Sequence, residues 1–111
     1  MKYSDRQIGD VTVLDIKGKI TIGLGDIALR DAVMGALNLG ATKLLINLKE
    51  VTTIDSSGVG ELVSAYTTVT NRGGKLKLCN LPAKVSDILQ ITQLITVFEV
   101  YDGEAEALAS F

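Results

Sequence analysis

The chain has 111 residues, 47% hydrophobic and 22% charged, the size and balance of one compact domain with a single core, here expected over residues 1–111. Lys and Arg number 11 against 13 Asp and Glu, a formal charge of −2, so no large positive field awaits a nucleic-acid backbone. With no His, no Trp and one Cys, the composition leaves out His/Cys metal cages, Ser-His-Asp and Cys-His arrangements and intramolecular disulfides.

The opening Met1-Lys2-Tyr3-Ser4-Asp5 lacks the apolar run of a signal peptide, and every apolar stretch is too short to cross a bilayer. The expectation is a cytoplasmic chain without membrane insertion, metal or cofactor.

Tyr3 to Ile8 reads as a short strand, turned at Gly9-Asp10 into a second one over Val11 to Ile22, where Val11, Val13, Leu14, Ile16, Ile20 and Ile22 run mostly at strand period and Gly18-Lys19 marks a bulge or bend. From Asp26 the period changes. Leu29, Ala32, Val33, Ala36 and Leu37 form an apolar helical stripe that Asn38 to Gly40 ends, with the Asp26 charge favoured at its start.

Leu44 to Leu48 is nearly all apolar, as a strand covered on both faces should be. A second helix carries Val59, Leu62, Val63, Tyr66 and Val69, and Asn71-Arg72-Gly73-Gly74 stops it. Lys75 to Cys79 alternates as a strand; Leu81-Pro82 opens a third helix that buries Val85, Ile88 and Leu89; Val97 to Tyr101 is a last strand and Glu104 to Ala109 a closing helix. The order β-β-α-β-α-β-α-β-α with short connections predicts an α/β fold, a single mixed, mostly parallel sheet of four or five strands with packed helices. Cys79 and Tyr66 read as core, and Lys75, Lys77 and Lys84 as a small solvated basic edge.

Two turns invite a functional reading. Gly23-Leu24-Gly25-Asp26-Ile27-Ala28 fits G-x-G-x-x-A, with Glu50 at about the spacing of a ribose-binding acid. Asp26 would face the pyrophosphate, however, and too little chain follows for a second mononucleotide half. The other turn is Thr52-Thr53-Ile54-Asp55-Ser56-Ser57-Gly58-Val59-Gly60, which joins the central strand to the second helix. A helix start offers unpaired N–H groups and a partial positive charge, so hydroxyls and anions both suit it. If that helix begins at Gly58, Ser57 is its N-cap and Ser56 is left facing solvent; capping and turn chemistry alone also accounts for Asp55, Ser56 and Ser57.

The Ile54-Asp55-Ser56-Ser57-Gly58-Val59-Gly60 turn after an apolar strand resembles the signature of the STAS domain (sulfate transporter and anti-sigma factor antagonist). Length, element order and the Gly73-Gly74-Lys75 turn are similar to stand-alone bacterial anti-sigma factor antagonists. The resemblance implies a non-enzymatic switch: the unmodified protein, a monomer or weak homodimer, binds an anti-sigma factor that is also a serine kinase and so frees a sigma factor, and phosphorylation ends the binding. The acceptor serine maps onto Ser56, with Asp55, Ser57 and Gly58 supporting the turn. Family members often carry an acid where Thr21 stands here, and Asp26 is the acid that could stand in for it. The resemblance leaves a second reading open, a non-switching subunit that binds a transporter ATPase or a signalling scaffold.

Overall fold

Lys43–Ile54, named β3 here, is the strand on which the sheet is built. Its Leu44, Ile46 and Leu48 are buried on one face and Leu45 on the other, the pattern of a strand covered on both sides. It runs well past the expected Leu48, because Val51 and Ile54 continue the inward alternation behind the exposed pair Lys49 and Glu50.

The computed structural model describes residues 1–111. Besides β3 it contains β1 (Lys2–Ile8), β2 (Val11–Ile20), α1 (Gly25–Asn38), α2 (Ser56–Asn71), β4 (Lys75–Cys79), α3 (Ala83–Ile91), a 3-10 turn (Leu94–Thr96), β5 (Glu99–Tyr101) and α4 (Glu104–Ala109). The sheet has five strands in the order β1-β2-β3-β4-β5. β1 pairs antiparallel with β2, and β2 to β5 pair in parallel. The predicted mixed, mostly parallel α/β fold is what forms.

Because the four parallel strands follow one another in space as in sequence, right-handed crossovers carry α1, α2 and α3 onto the same face. There 22 buried residues form the main core, from Leu14 and Ile16 of β2 through Leu29 and Val33 of α1 and Leu62 and Val69 of α2 to Leu89 of α3 and Phe98. Tyr66 packs at its margin, edge-on to Phe98 with ring centroids 5.6 Å apart. α4 lies on the opposite face over a smaller cluster of Val11, Val13, Leu45 and Cys79. The expected irregularity at Gly18-Lys19 is present as a shift of the β2/β3 register, and a second shift lies between Asp15 and Lys17.

Three expectations are corrected. β2 ends at Ile20, and Ile22 belongs to the following turn. Pro82 is the N-cap of α3 rather than part of it. β5 is confined to Glu99–Tyr101, because Phe98 turns into the main core. No helix is long and apolar enough to cross a membrane.

Leu62 is fully buried at the centre of α2, so Leu62→Ala is expected to lower unfolding free energy by about 2–5 kcal/mol, read from urea denaturation.

Candidate functional site

β2 and β3 run in parallel and stop side by side, with Ile20 opposite Ile54, so the turns after them are brought together at one end of the sheet. Asp55 is extended, at φ −111° and ψ −175°, and is the N-cap of α2. Its Oδ1 accepts the Gly58 N–H at 3.0 Å, and its Oδ2 accepts the Ile22 N–H at 2.9 Å. Its own N–H donates to the Ile20 carbonyl at 3.4 Å. One carboxylate thus caps α2 and ties the two turns together. Bonds from the Ile22 and then the Gly58 N–H hold its pKa below the usual carboxylate value.

The glycines here are set by space. A Cβ on Gly58 would lie 2.1 Å from the Ile20 carbonyl oxygen and 2.7 Å from Ile54 Cγ1, and one on Gly25 would lie 2.5 Å from the Lys19 carbonyl oxygen. Both helices therefore start against the end of β2, at a separation that only a residue without a side chain permits.

Ser56 is the first residue of α2 and is exposed; Ser57 follows it half-buried. The expected N-cap at Ser57 is corrected. The helix starts two residues before Gly58, so the cap falls on Asp55, whose carboxylate takes the N–H three residues on. Glu61, one turn beyond Ser57, is free to bond Arg30 of α1 and links the two helices.

The Gly23-Leu24-Gly25 turn is closed by its own groups. Thr21, half-buried, accepts the Gly25 and Asp26 N–H groups on its carbonyl at 3.0 and 3.1 Å. Asp26 Oδ1 accepts the Gly23 N–H at 3.0 Å and the Ile27 N–H at 2.8 Å. The N–H groups that a pyrophosphate would need are taken, which removes the dinucleotide reading. The same bonds turn Asp26 toward the start of α1, and the acid joined to the serine turn is Asp55.

A feature that periodicity passed over surrounds this turn. Ile22 is 74% exposed, Leu24 84% and Ile27 50%. They precede the buried stripe of Leu29, Ala32, Val33 and Ala36; Leu24 and Ile27 fall off its period, which is the trace they leave in the sequence. Since the Ile22 backbone is bonded to Asp55, the turn that carries Ile22 and Leu24 adjoins the one that carries Ser56. Ser56, Asp55, Ser57, Gly58, Thr21 and Asp26 thus lie in two adjoining turns.

The sequence matches the STAS domain over residues 2–107. The chain belongs to the STAS domain family. It is 32% identical over 87 residues to the anti-sigma-B factor antagonist of Bacillus subtilis, covering 78% of each chain. Other curated relatives are matched over only 56% and 64% of their own length. A Thermotoga maritima crystal structure, described as a candidate anti-sigma factor antagonist, superposes with a TM-score of 0.89 at 26% identity, covering 97% of this chain and 92% of that one. The Bacillus cell fate determinant SpoIIAA in its phosphorylated form superposes with a TM-score of 0.73 at 20% identity, covering 98% of each chain.

Removing the Asp55 carboxylate should matter more than removing either serine hydroxyl. Asp55→Ala is expected to lower the urea midpoint clearly and Ser57→Ala to leave it within error, since neither serine hydroxyl has a partner to lose. The folded-state pKa of Asp55 is lowered, so its contribution is complete above the unfolded value of about 4 and fades as pH falls through the folded one. The gap between wild type and Asp55→Ala should be constant from neutral pH to about pH 4 and close below it.

Proposed function

We propose that residues 1–111 act as one STAS domain of the anti-sigma factor antagonist type, a protein-binding module switched at Ser56. Unmodified, it binds an anti-sigma factor that is also a serine kinase and thereby frees a sigma factor; phosphorylated at Ser56, it lets go. The observation that carries this reading is an exposed hydroxyl at the first position of α2, in a turn that Asp55 ties to the neighbouring one, where Ile22 and Leu24 are solvent-exposed.

Exposed apolar groups rimmed by polar ones suit a protein partner. The match to the Bacillus subtilis antagonist and the existence of a phosphorylated form of SpoIIAA support the same reading. The domain works by binding, and catalysis belongs to the partner.

The physics of the switch follows from where the charge is added. A phosphate on Ser56 brings a charge of about −1.5 to −2 to a helix N-terminus, where the dipole favours it and offsets the repulsion of the Asp55 carboxylate that already caps the helix. The fold therefore tolerates it. In a complex the same dianion would be buried against a partner, and an interface that loses about 4 kcal/mol weakens roughly a thousandfold. The effect is read at the surface.

Ser56→Ala should bind the partner kinase permanently, and Ser56→Asp or the phosphorylated protein should bind about a thousandfold more weakly, measured by titration calorimetry. Equal affinities of the two forms would refute the switch. Leu24→Asp should weaken binding without altering the urea midpoint, because Leu24 is 84% exposed. Mass spectrometry of the protein from its native cells should find phosphate at Ser56; phosphate at Ser57 alone would move the switch to the neighbouring hydroxyl.

A further inference from the structure

The back of the sheet, away from the serine turn, is built differently from the front. Val11, Val13, Leu45, Cys79 and Ala107 form a five-residue core separate from the main one of 22. α4 covers it, with Leu108 and Phe111 half-buried at its edge. α4 has six residues, too few to hold a helix together in water without support, and Ala107 is the one among them that is fully buried.

Two cations hold the ends of this segment. At its start Arg6 of β1 bonds Glu104, while the same guanidinium donates to both oxygens of Asp15 at 2.6 and 2.9 Å. At its end Lys77 of β4 is the exception to the expected solvated edge, with 3% of its surface exposed. Its ammonium donates to the Ser110 carbonyl at 2.8 Å and hydroxyl at 2.9 Å. The Phe111 and Tyr101 ring centroids lie 4.8 and 5.5 Å away, and a Glu99 oxygen lies at 3.8 Å.

A buried ammonium is stable only while its partners are in place, and here Ser110 and Phe111 both belong to the tail that follows α4. Lys77 docks that tail specifically, whereas an apolar residue would grip any apolar cover.

We propose that α4 is a releasable strap. It lifts as a unit from the Asp102-Gly103 turn onward and unmasks Val11, Val13, Leu45 and Cys79, while the core beneath α1, α2 and α3 stays folded; the Lys77 clasp sets how often it opens. Segments with few buried apolar contacts open locally at a fraction of the global unfolding free energy, and α4 is such a segment. Because the serine turn lies on the other layer of the sheet, the strap opens independently of phosphorylation.

Cys79 reports the opening. It is fully buried beneath the strap, and burial, aided by the Glu104 and Asp15 carboxylates, pushes its thiol up to about 11, so the closed form is unreactive. The experiment measures the rate of Cys79 modification by Ellman's reagent at pH 8 against urea concentration below the unfolding transition. It compares the intact protein, Lys77→Ala, the strap-side variant Ser110→Ala/Phe111→Ala, and the main-core variant Leu62→Ala.

The expected result is a rate nearly independent of urea, raised about tenfold in each clasp variant through loss of the charged hydrogen bonds and ring contacts, and unchanged in Leu62→Ala. If instead the rate climbs with urea along the full global unfolding slope and rises most in Leu62→Ala, the strap opens only when everything unfolds and the proposal fails. The strap-side variant leaves the sheet intact, so the comparison stands even if Lys77→Ala does not fold.

Discussion

The Asp55 carboxylate is the contact on which the rest of the functional end depends. One oxygen starts α2 by taking the Gly58 N–H, and the other fastens the turn after β2 by taking the Ile22 N–H. Two turns that would otherwise close separately are thereby held together, one carrying Ser56 and the other Ile22 and Leu24. Gly58 sets the distance, since its missing side chain lets α2 begin directly under the Ile20 carbonyl.

Most of the architecture could be read from periodicity. The stripe Leu29, Ala32, Val33, Ala36 and the apolar run Leu44 to Leu48 each specify an element because burial on one or both faces leaves a period. The misreadings came where burial and sequence separate. β3 looked short because Lys49 and Glu50 point outward before Val51 and Ile54 resume, and Ile22 looked like strand because an exposed loop residue can be as apolar as a core one. Ser57 looked like the cap because Ser and Asp are both good caps, and only backbone geometry assigns the place to Asp55. For the site, the Asp-Ser-Ser-Gly turn was legible; the apolar residues around it were not, since nothing in their identity says which way they face. Lys77 was missed because a lysine on an alternating strand reads as solvent-facing, and its aromatic and carbonyl partners come from residues more than twenty positions away.

The two faces of the sheet divide the work of stability. The front holds the large aliphatic core and has little need of charge. The back replaces part of its cover with a chain of polar contacts, in which Arg6 bonds Asp15, the Asn47 amide donates to Asp15 at 2.9 Å and the Asn80 amide donates to Asn47 at 3.1 Å. The Arg6 guanidinium, and then burial opposed by the Asn47 bond, leave Asp15 below the usual carboxylate value. The chain crosses from β1 to the end of β4 and fixes strand register on the side where few apolar side chains do so.

β1 has one more consequence. All seven of its residues are exposed, and its outer backbone edge is open to pairing by a foreign strand. Two copies joined there about a two-fold axis would set side chains of the same face opposite one another. Centring that seam on Ser4 puts Lys2 against Arg6, centring it on Asp5 puts two carboxylates together, and centring it on Arg6 puts two guanidinium groups together. Each of these three central registers meets like charge, so the sequence of this margin disfavours its fullest edge-to-edge pairing with a second copy, and the opposite margin, β5, offers only three residues to build on.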